Sequence, residues 1–335
     1  MFKKALVAVA VSSMLSGCVG GLFQSVDEVC MPTGQVDIEK SPVAGKKAED
    51  IKVIVLPVDM AFDDSAKGRL QTVYRNDLEA TIEKTGSKLV DRKLANKLKG
   101  EIKLAEQSGR YNKTGVPIAD LAIITEVTAS DLTYNFTERR EKTNDEGETK
   151  VYPAHCDFRT EVKAVAKVVS LPDMNLVQRI ELGSYDTFTS ETRNSKCPIS
   201  KAQYTSMASE AAMKSVKYNF ELQKLLAPSA PVMEMRQCEA GTMVKVAMGS
   251  NKRIQPGADI SFSQTFKSDE GDLETYTVGV GYVVNHENDA VKPTFSWVAI
   301  DEEMSLKLRK GDTAKLVPEE CAIWDVACMT NSWGN

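Results

Sequence analysis

The chain has 335 residues and a small excess of acidic side chains, 47 aspartates and glutamates against 42 lysines and arginines, for a net charge of −5. A negatively charged chain has no long-range attraction for a phosphate backbone, so nucleic acid is not an expected partner. The length predicts two domains of ordinary size.

The first eighteen residues have the composition of a cleavable secretion signal. Two lysines precede an apolar stretch from Ala5 to Leu15, which is shorter than the roughly 20 residues that a membrane-spanning helix needs. Two small residues then stand directly before Cys18, in the order of a lipobox. We therefore expect residues 1–17 to be removed and Cys18 to be diacylated. The mature chain then has 40 basic side chains against 47 acidic ones, a net charge of −7.

The residue after Cys18 bears on which membrane holds the anchor. Val19 stands there, rather than the aspartate that retains lipoproteins in the inner membrane, so we expect the periplasmic face of the outer membrane. Each buried methylene of an acyl chain adds about 0.8 kcal/mol, and two or more chains hold firmly. Residues 18–49 show no sustained hydrophobic period, which predicts a lipidated tether. The alternative is an ordinary secreted protein in which the cysteine is incidental.

Residues 50–227 alternate between strand patterns and amphipathic helix patterns, which predicts an α/β domain. A β-branched strand at 51–58 precedes a helix that Asp63 and Asp64 could cap. A short strand and a second amphipathic helix, beginning at Asp91, follow. The apolar stripes of these helices are Leu70, Val73, Tyr74, Leu78 and Ile82 in the first, and Leu94, Leu98, Ile102 and Ala105 in the second.

The later part of this domain predicts long strands. A strand candidate at 119–136 is followed by nine charged residues within 138–150, a segment that must be solvated. Strands at 158–170 and 176–189 flank a turn-forming sequence and should pair as an antiparallel hairpin. A long helix that ends near Leu226 completes the domain.

Two prolines mark the clearest domain boundary in the chain. They lie in Pro228-Ser229-Ala230-Pro231, so residues 228–240 are predicted to be a linker. Residues 241–318 then change to short strands separated by turns, which predicts a small, closed all-β barrel. The strand candidates are 244–248, 259–265, 276–284, 294–300 and 313–317. Residues 319–335 are left as a C-terminal tail that contains two cysteines.

Six cysteines remain when Cys18 is set aside, an even number that suggests disulfides in an oxidising compartment. Fifteen pairings are possible in principle, and some of the six could be free buried thiols. The last two cysteines would close a local loop, two others flank the predicted hairpin and could clamp its open end, and the remaining pair follows by elimination. The favoured pairs are Cys321 with Cys328, Cys156 with Cys197, and Cys30 with Cys238. The chain has no CxxC spacing, so it encodes neither a zinc ribbon nor a thioredoxin-like site.

The order of elements in residues 50–226 resembles the CsgG family, the curli-secretion lipoproteins, and the related N-terminal domain of TolB. The resemblance rests on Ile54-Val55-Leu56-Pro57-Val58, Lys88-Leu89-Val90-Asp91-Arg92 and Ala119-Asp120-Leu121-Ala122-Ile123-Ile124-Thr125-Glu126-Val127. The hairpin from Val162 to Ser190 is similar to the paired strands of the same family. The barrel, with Ile254-Gln255-Pro256-Gly257 and Arg309-Lys310-Gly311-Asp312, is similar to the SH3-like ending of flagellar H-ring proteins of the FlgT type.

The resemblance implies a ring-shaped pore, because curli lipoproteins each lend β-hairpins that cross the outer membrane. A spanning strand needs about 9 to 11 residues with every second one facing lipid. Around Leu132, Tyr134 and Phe136 that apolar alternation lasts three positions, and the returning segment holds His155 and Asp157. The residues therefore argue against the pore.

No pattern in the sequence predicts catalysis or a cofactor. Neither His155 nor His286 has a second metal-type residue at helical spacing, and adjacent strand positions point His155 and Cys156 to opposite faces. Asp63 and Asp64 are better explained as helix caps than as paired carboxylates. No glycine-rich loop has the spacing of a nucleotide-binding motif. We therefore expect no enzyme activity, no cofactor and no metal.

These observations predict a non-enzymatic outer-membrane lipoprotein that acts as a periplasmic docking or assembly component of an envelope-spanning machine, such as a flagellar basal-body ring or a surface-structure export apparatus. Its expected partners are the outer membrane, other envelope proteins and further copies of itself, with a ring as one form. Trp324 and Trp333 could anchor a partner or pack back on the barrel. The alternatives are a CsgG-like oligomeric secretion pore and an outer-membrane activator of a cell-wall synthase.

Overall fold

The structure, a computed structural model, describes residues 26–108, 119–271, 273–286, 288–319, 321 and 328–329. These residues form a mixed α+β fold that is made mostly of strands, in three sheets. The predicted signal segment, Cys18, Trp324 and Trp333 lie outside the described residues. Within the described part of the chain, no helix has both the length and the apolar character needed to cross a membrane.

The helices and strands follow one another in three groups. The first is β1 (Gln35–Val36), β2 (Lys52–Val55), β3 (Asp59–Met60), α1 (Lys67–Thr85), β4 (Lys88–Leu89), α2 (Arg92–Ser108) and β5 (Leu121–Thr137). The second is β6 (Arg140–Thr143), β7 (Thr149–Tyr152), β8 (His155–Ser170), β9 (Leu176–Glu191), α3 (Lys201–Lys217) and α4 (Phe220–Leu226). The third is β10 (Ser229–Cys238), β11 (Gly241–Val246), β12 (Asp259–Lys267), β13 (Leu273–Val283), β14 (Ser296–Ile300), α5 (Glu302–Lys307) and β15 (Thr313–Leu316).

The α/β domain is built on a sheet with strand order β4-β2-β5-β8-β9, to which β3 adds beside β5. β2 pairs in parallel with β4 and β5, whereas β8 pairs antiparallel with β5 and β9. α1, α3 and α4 cover one face of this sheet, and α2 covers part of the other. The sheet therefore has an apolar core on each side.

The apolar stripes predicted for the first two helices face these cores. Leu70, Tyr74, Leu78 and Ile82 of α1 are fully buried, and α2 buries Leu98, Ile102 and Ala105. α1 ends at Gly86, whose φ of 79° is a left-handed conformation that glycine adopts at little cost.

The start of α1 differs from the prediction. Its N-cap is Ala66, and no side chain caps it. Asp64 instead accepts a hydrogen bond from the N–H of Ala66 at 2.6 Å, in the turn before the helix, and Asp63 lies 3.8 Å from Lys67. The prediction that Asp63 and Asp64 cap the helix was therefore wrong by about one turn.

The long helix predicted to end near Leu226 is two helices. Asn219 separates them, because its side chain accepts from the N–H of Leu222 at 2.8 Å and so caps α4. The same side chain donates to the carbonyl of Glu181 in β9 at 2.8 Å. The apolar spacing continues across this break, and for that reason the sequence pattern predicts one helix.

The long strands of the prediction are confirmed and extend further than expected. β8 and β9 pair from His155 opposite Glu191 to Val169 opposite Leu176, and β5 pairs with β8 out to Thr137 opposite His155. The charged segment 138–150 is exposed, as predicted, but β6 and β7 pair within it as a separate hairpin.

The C-terminal sheet closes on itself in the order β10-β11-β14-β13-β12-β15, because β10 also pairs with β15. All five predicted strands are present, and the sixth, β10, lies in the segment that the prolines marked as a linker. That prediction was wrong because Pro231, near the start of β10, pairs with Thr313 where β15 begins, a position at which the missing N–H of proline is tolerated.

The described part of the predicted tether packs on this barrel. β1 pairs with β10, placing Gln35 opposite Arg236, and Val43 pairs with Thr265. The tether predicted for residues 18–49 is therefore, from residue 26 onward, an arm packed on the barrel. The sequence gives no period there, because β1 has two residues and β10 supplies its register.

The two domains touch at the ends of α1 and α4. The ammonium of Lys252, in the barrel, donates to the carbonyl of Gly86 at 3.4 Å and lies 3.2 Å from Glu49. The ammonium of Lys315 donates to the carbonyl of Leu225 at 3.0 Å. Burial, together with the nearby charge of Lys224, lowers the pKa of Lys315.

Candidate functional site

Six cysteines form three disulfides, and the pairs are the ones favoured from the sequence. They are Cys30–Cys238, Cys156–Cys197 and Cys321–Cys328. The first ties the N-terminal arm to the barrel, and the second ties the beginning of β8 to the segment that precedes α3. The predicted lipidation site, Cys18, lies outside the described residues.

Both histidines make local contacts. Nδ1 of His155 lies 3.0 Å from the carbonyl of Pro153, and its Nε2 lies 3.4 Å from Asp157. Nδ1 of His286 accepts from the N–H of Asp289 at 3.1 Å. Among the described residues no three His, Cys, Asp or Glu side chains are placed to hold a metal ion. The structure thus brings neither histidine together with another candidate site residue.

The outer parts of three long strands extend past α1 and α2. We call this region the projecting sheet, and it consists of residues 130–137 of β5, 155–162 of β8 and 185–191 of β9. A strand of 17 residues such as β5 covers roughly 58 Å, whereas the 19 residues of α1 cover about 28 Å. The strands therefore extend past α1, whereas α3 packs on this region as well, with Met207 next to Phe158 and the ammonium of Lys214 donating to Asp186 of β9 at 2.6 Å.

One face of the projecting sheet is aromatic. The rings of Tyr134, Phe158 and Phe188 form a row across the three strands, with centroids 6.3 Å and 6.2 Å apart. Phe158, in the centre, is buried beneath Met207 and the segment held by the Cys156–Cys197 disulfide. The two ends of the row are open, since Tyr134 is 55% exposed and Phe188 is 36% exposed.

The other face of the projecting sheet is polar. Asp157, Arg159 and Glu161 alternate along it on β8, and the guanidinium of Arg159 lies 3.5 Å from the ring centroid of Tyr185. The projecting sheet therefore has one apolar and one charged face, which is the arrangement of a protein surface that packs on one side only.

Both outer strands of the projecting sheet have an edge that no described strand occupies. On the β5 side, β3 pairs as far as Val127, and on the β9 side β8 is the one described partner. Asn219 reaches the carbonyl of Glu181 from the outer side of β9. Thr187 lies six residues after Glu181 on the same strand, so its N–H and carbonyl also point away from β8.

These edges have few of the features that usually protect them. Natural proteins discourage pairing at an open edge with charged side chains, above all lysine, with proline or with a bulge. Residues 131–137 and 185–191 contain no lysine and no proline, their charged side chains are Asp131, Asp186 and Glu191, and their pairing with β8 runs without a bulge. Either edge of the projecting sheet therefore offers backbone groups to another strand.

Tyr204 holds the base of the projecting sheet. Its hydroxyl donates to the carboxylate of Asp64 at 2.5 Å and lies 2.8 Å from the hydroxyl of Ser130, where the projecting part of β5 begins. Burial and then the hydrogen bond to Asp64 raise the pKa of Tyr204 to about 12. The sequence places Tyr204 on the core stripe of a helix, and the structure adds this bond to two other elements.

Sequence reasoning identified Tyr134 and Phe136 by their alternation but did not identify Phe188 or the open edges. Edges depend on which strands pair, and one sequence does not show that. The signal that was available is length, because a predicted strand of 18 residues followed by long partners cannot be covered by helices of ordinary size.

Comparison with known proteins gives matches to solved structures alone. No protein-family model matches the chain, and no curated protein matches its sequence. A PelC dodecamer from Paraburkholderia phytofirmans matches with 15% identity over 53% of this chain and 92% of that chain, at a TM-score of 0.23. The lipoprotein GNA1162 from Neisseria meningitidis matches with 15% identity over 44% and 88%, at 0.20. A minor lipoprotein from Acinetobacter baumannii matches with 10% identity over 52% and 90%, at 0.21. These scores are too low to establish a shared fold, so the resemblance to the CsgG and FlgT families stays an expectation.

Proposed function

We propose that this chain is a non-enzymatic outer-membrane lipoprotein that joins copies of itself through the projecting sheet and serves as a docking component of an envelope-spanning machine. The observation that carries the proposal is the pair of open edges on β5 and β9, which have no lysine, proline or bulge in the projecting sheet. An assembly built in this way is a scaffold to which other envelope proteins bind. A flagellar basal-body ring or a surface-structure export apparatus is the kind of machine that it would serve.

The predicted location is supported by two independent features. The segment before Cys18 has the order of a lipoprotein signal. The three disulfides, one of which joins residues 208 positions apart, require an oxidising compartment such as the periplasm. Together the two features support the proposal of a periplasmic body held by acyl chains.

The geometry of the edges favours head-to-tail assembly. β5 and β9 both pair antiparallel with β8, so they run in the same direction and their open edges face opposite ways. The β9 edge of one copy would meet the β5 edge of the next in a parallel pairing. An interface between two different surfaces repeats indefinitely, and it closes into a ring when the rotation between copies allows.

Side chains at the two edges are compatible with this contact. Arg159 of β8 pairs with Thr133 of β5 on one side and with Thr187 of β9 on the other. The two threonines therefore lie at the same level of the sheet, and both are uncharged. Phe188 and Tyr134 lie at the next level, where the aromatic row would continue from one copy into its neighbour. Covering these two exposed rings would bury apolar surface that is open in the single chain.

The faces of β8 give less support to the alternative of a secretion pore. A strand that crosses a membrane needs every second side chain to be apolar along its length. The face of β8 with Asp157, Arg159 and Glu161 would fit the polar lumen of a barrel, but Phe158 on the other face, which would have to meet lipid, is covered by the chain itself. The projecting sheet is better suited to contact protein than lipid.

The anchor is tested first. Cells that express the full chain are labelled with palmitate and their membranes are separated by density. We expect the label in the protein and the protein in the outer-membrane fraction, and we expect Cys18→Ala to lose the label and leave the membranes. Retention of an unlabelled Cys18→Ala protein in the outer membrane would overturn the lipoprotein assignment.

The assembly is tested by changing the β9 edge. Thr187→Pro removes an N–H that points away from β8, so it should block a neighbouring strand while leaving the β8–β9 pairing in place. Thr187→Val is the matched control, since it keeps the N–H. Crosslinking in intact cells should give multimers of the parent and of the valine variant, and monomers of the proline variant. Multimers that survive Thr187→Pro unchanged would place the interface elsewhere.

A further inference from the structure

A cleft of about 440 Å³ lies between the two domains. α1 and the end of α3 form one wall, and the turn at Lys252 and Arg253 with the end of β15 forms the other. Its size is within the usual range for small-molecule sites, and such sites often lie between domains. The aromatic row and the open edges of the projecting sheet contribute none of its lining.

The floor of the cleft is apolar. Val216 and Leu226 are buried there, and Met213, which is 37% exposed, also lines the cleft. Leu316 and Pro228 complete this surface from the barrel side. An open apolar surface between two domains is where a hydrocarbon group would be removed from water most favourably.

The rim of the cleft is basic. Lys84, Lys217, Lys252 and Arg253 line it, against a single carboxylate, that of Asp77. Lys252 is paired with Glu49, and Lys217 donates to the hydroxyl of Tyr218 at 3.1 Å. In the described part of the chain, Lys84 and Arg253 form no ion pair. Four cations at one opening, against one lining carboxylate, give this part of a negatively charged chain a local positive charge that favours an anion.

Asp77 cancels this charge only in part. One of its carboxylate oxygens is buried and has no hydrogen-bond partner among the described residues. Burial raises the pKa of Asp77, the ammonium of Lys84 opposes that shift, and Glu210 adds to it. Lys84 therefore acts on this carboxylate at a distance and forms no hydrogen bond with its buried oxygen.

The lining also indicates what kind of anion would bind. A peptide that binds by adding a strand needs free backbone groups, but α1 and α3 satisfy their own N–H and carbonyl groups inside the helix. Thr81 donates to the carbonyl of Asp77, and the amide of Gln223 donates to that of Lys217. What remains for a ligand is a hydrocarbon surface and a set of cations.

We propose that this cleft binds an anionic lipid with a single alkyl chain, with the chain on the floor formed by Met213, Val216 and Leu226 and the headgroup at Lys84 and Arg253. A carboxylate or phosphate headgroup fits the same cations, because both accept charge-assisted hydrogen bonds from lysine and arginine. This site is independent of the edges that carry the assembly proposal.

The test uses the full mature chain with Cys18→Ala, so that no acyl chain of its own competes. Dodecanoate and dodecyl phosphate are titrated calorimetrically below their micelle concentrations, and dodecyltrimethylammonium is the cationic comparison. We expect one saturable site for the two anions and at least about tenfold weaker binding of the cation. Equal binding of the cationic amphiphile would overturn the proposal.

Variants locate the site. Lys84→Gln with Arg253→Gln should weaken dodecanoate binding about tenfold, whereas Lys142→Gln with Lys150→Gln, on the exposed β6–β7 hairpin, should not change it. Ala80→Trp fills the cleft from an exposed position of α1 and should abolish binding. Unchanged affinity in the filled variant, or binding of a synthetic acidic peptide with the sequence of residues 319–335 in place of dodecanoate, would reject the lipid site.

Discussion

The hydroxyl of Tyr204 donates a hydrogen bond to the carboxylate of Asp64, 140 residues earlier in the chain, at 2.5 Å. The bond fastens the first turn of α3 to the loop before α1. Since the same hydroxyl lies 2.8 Å from Ser130, it also fixes the level at which the projecting sheet leaves the helices.

Replacing Tyr204 with phenylalanine tests this bond through pH. The pKa of Tyr204 is raised to about 12 in the folded protein, above the value near 10 of an unfolded tyrosine. The stability that depends on the protonated phenol is therefore complete below pH 10 and is lost as the pH rises towards 12. In urea denaturation, Tyr204→Phe should lower the free energy of unfolding by about 1 kcal/mol at pH 7. Above pH 10 the free energy of unfolding of this variant should fall less steeply than that of the parent. Tyr134→Phe is the control, because it leaves the bond between Tyr204 and Asp64 intact, and its free energy of unfolding should fall as steeply as that of the parent. The same pH dependence in the parent and in both variants would contradict the prediction.

The disulfide between Cys30 and Cys238 should contribute more to stability than the one between Cys321 and Cys328. The first crosslinks residues 208 positions apart and the second residues 7 apart, so the first restricts the unfolded chain much more. Replacing Cys30 and Cys238 with alanine should lower the free energy of unfolding by about 2–5 kcal/mol in denaturant titrations. The matched pair of alanines at Cys321 and Cys328 should lower it less, and an equal or larger loss there would refute the argument.

Glu79 of α1 should control how firmly α2 is held. Its carboxylate is buried, and it accepts from Nε of Arg75 at 2.9 Å and from Nε of Arg92, in α2, at 2.7 Å. Glu79→Ala removes the shared acceptor and should cost about 2 kcal/mol, with faster amide hydrogen exchange along α2. Glu83→Ala, at an exposed position of the same helix, is the control. Unchanged exchange in α2 would mean that apolar packing alone holds the helix.

Two glycines should respond to alanine in opposite directions. A Cβ at Gly249 would lie 1.9 Å from the carbonyl oxygen of Lys292, so Gly249→Ala must displace the barrel backbone and should cost about 1–3 kcal/mol. A Cβ at Gly68, in α1, meets no atom within 4 Å, and Gly68→Ala should add up to about 1 kcal/mol through helix propensity. Thermal unfolding of the two variants measures both effects, and a shift of the same sign in both would rule out this explanation.

Local patterns predicted the elements well where one residue period governs the chain. The apolar stripe from Leu70 to Ile82 predicted α1, and the apolar alternation around Val162 predicted β8. Both elements bury one face, which leaves a clear period in the sequence. Strands of the barrel from β11 onward were likewise predicted close to their observed limits. The cysteine pairs also followed from their positions relative to these elements.

Prediction failed where a distant segment decides the conformation. Pro231 resembles a linker residue in isolation, and it is in a strand because Thr313 offers it a partner. The sequence around Gln35 has no strand pattern, and it forms a strand because it pairs with Arg236 of β10. Open edges, the aromatic row and the cleft between domains are products of the same long-range pairing, so no local period in the sequence indicates them.

The packing of the N-terminal arm would limit how far the protein stands from a membrane that held Cys18. The N–H of Val26 donates to the hydroxyl of Tyr282 at 3.1 Å, which fixes the arm to the barrel from that residue onward. With acyl chains on Cys18, as proposed, eight peptide links lead from Cys18 to Val26, and at no more than ~3.6 Å each they reach roughly 29 Å. A cell-wall synthase activated by such a lipoprotein would meet a body whose arm is held within that distance of the lipid, so the reach across the periplasm would come from the folded body and not from a long tether.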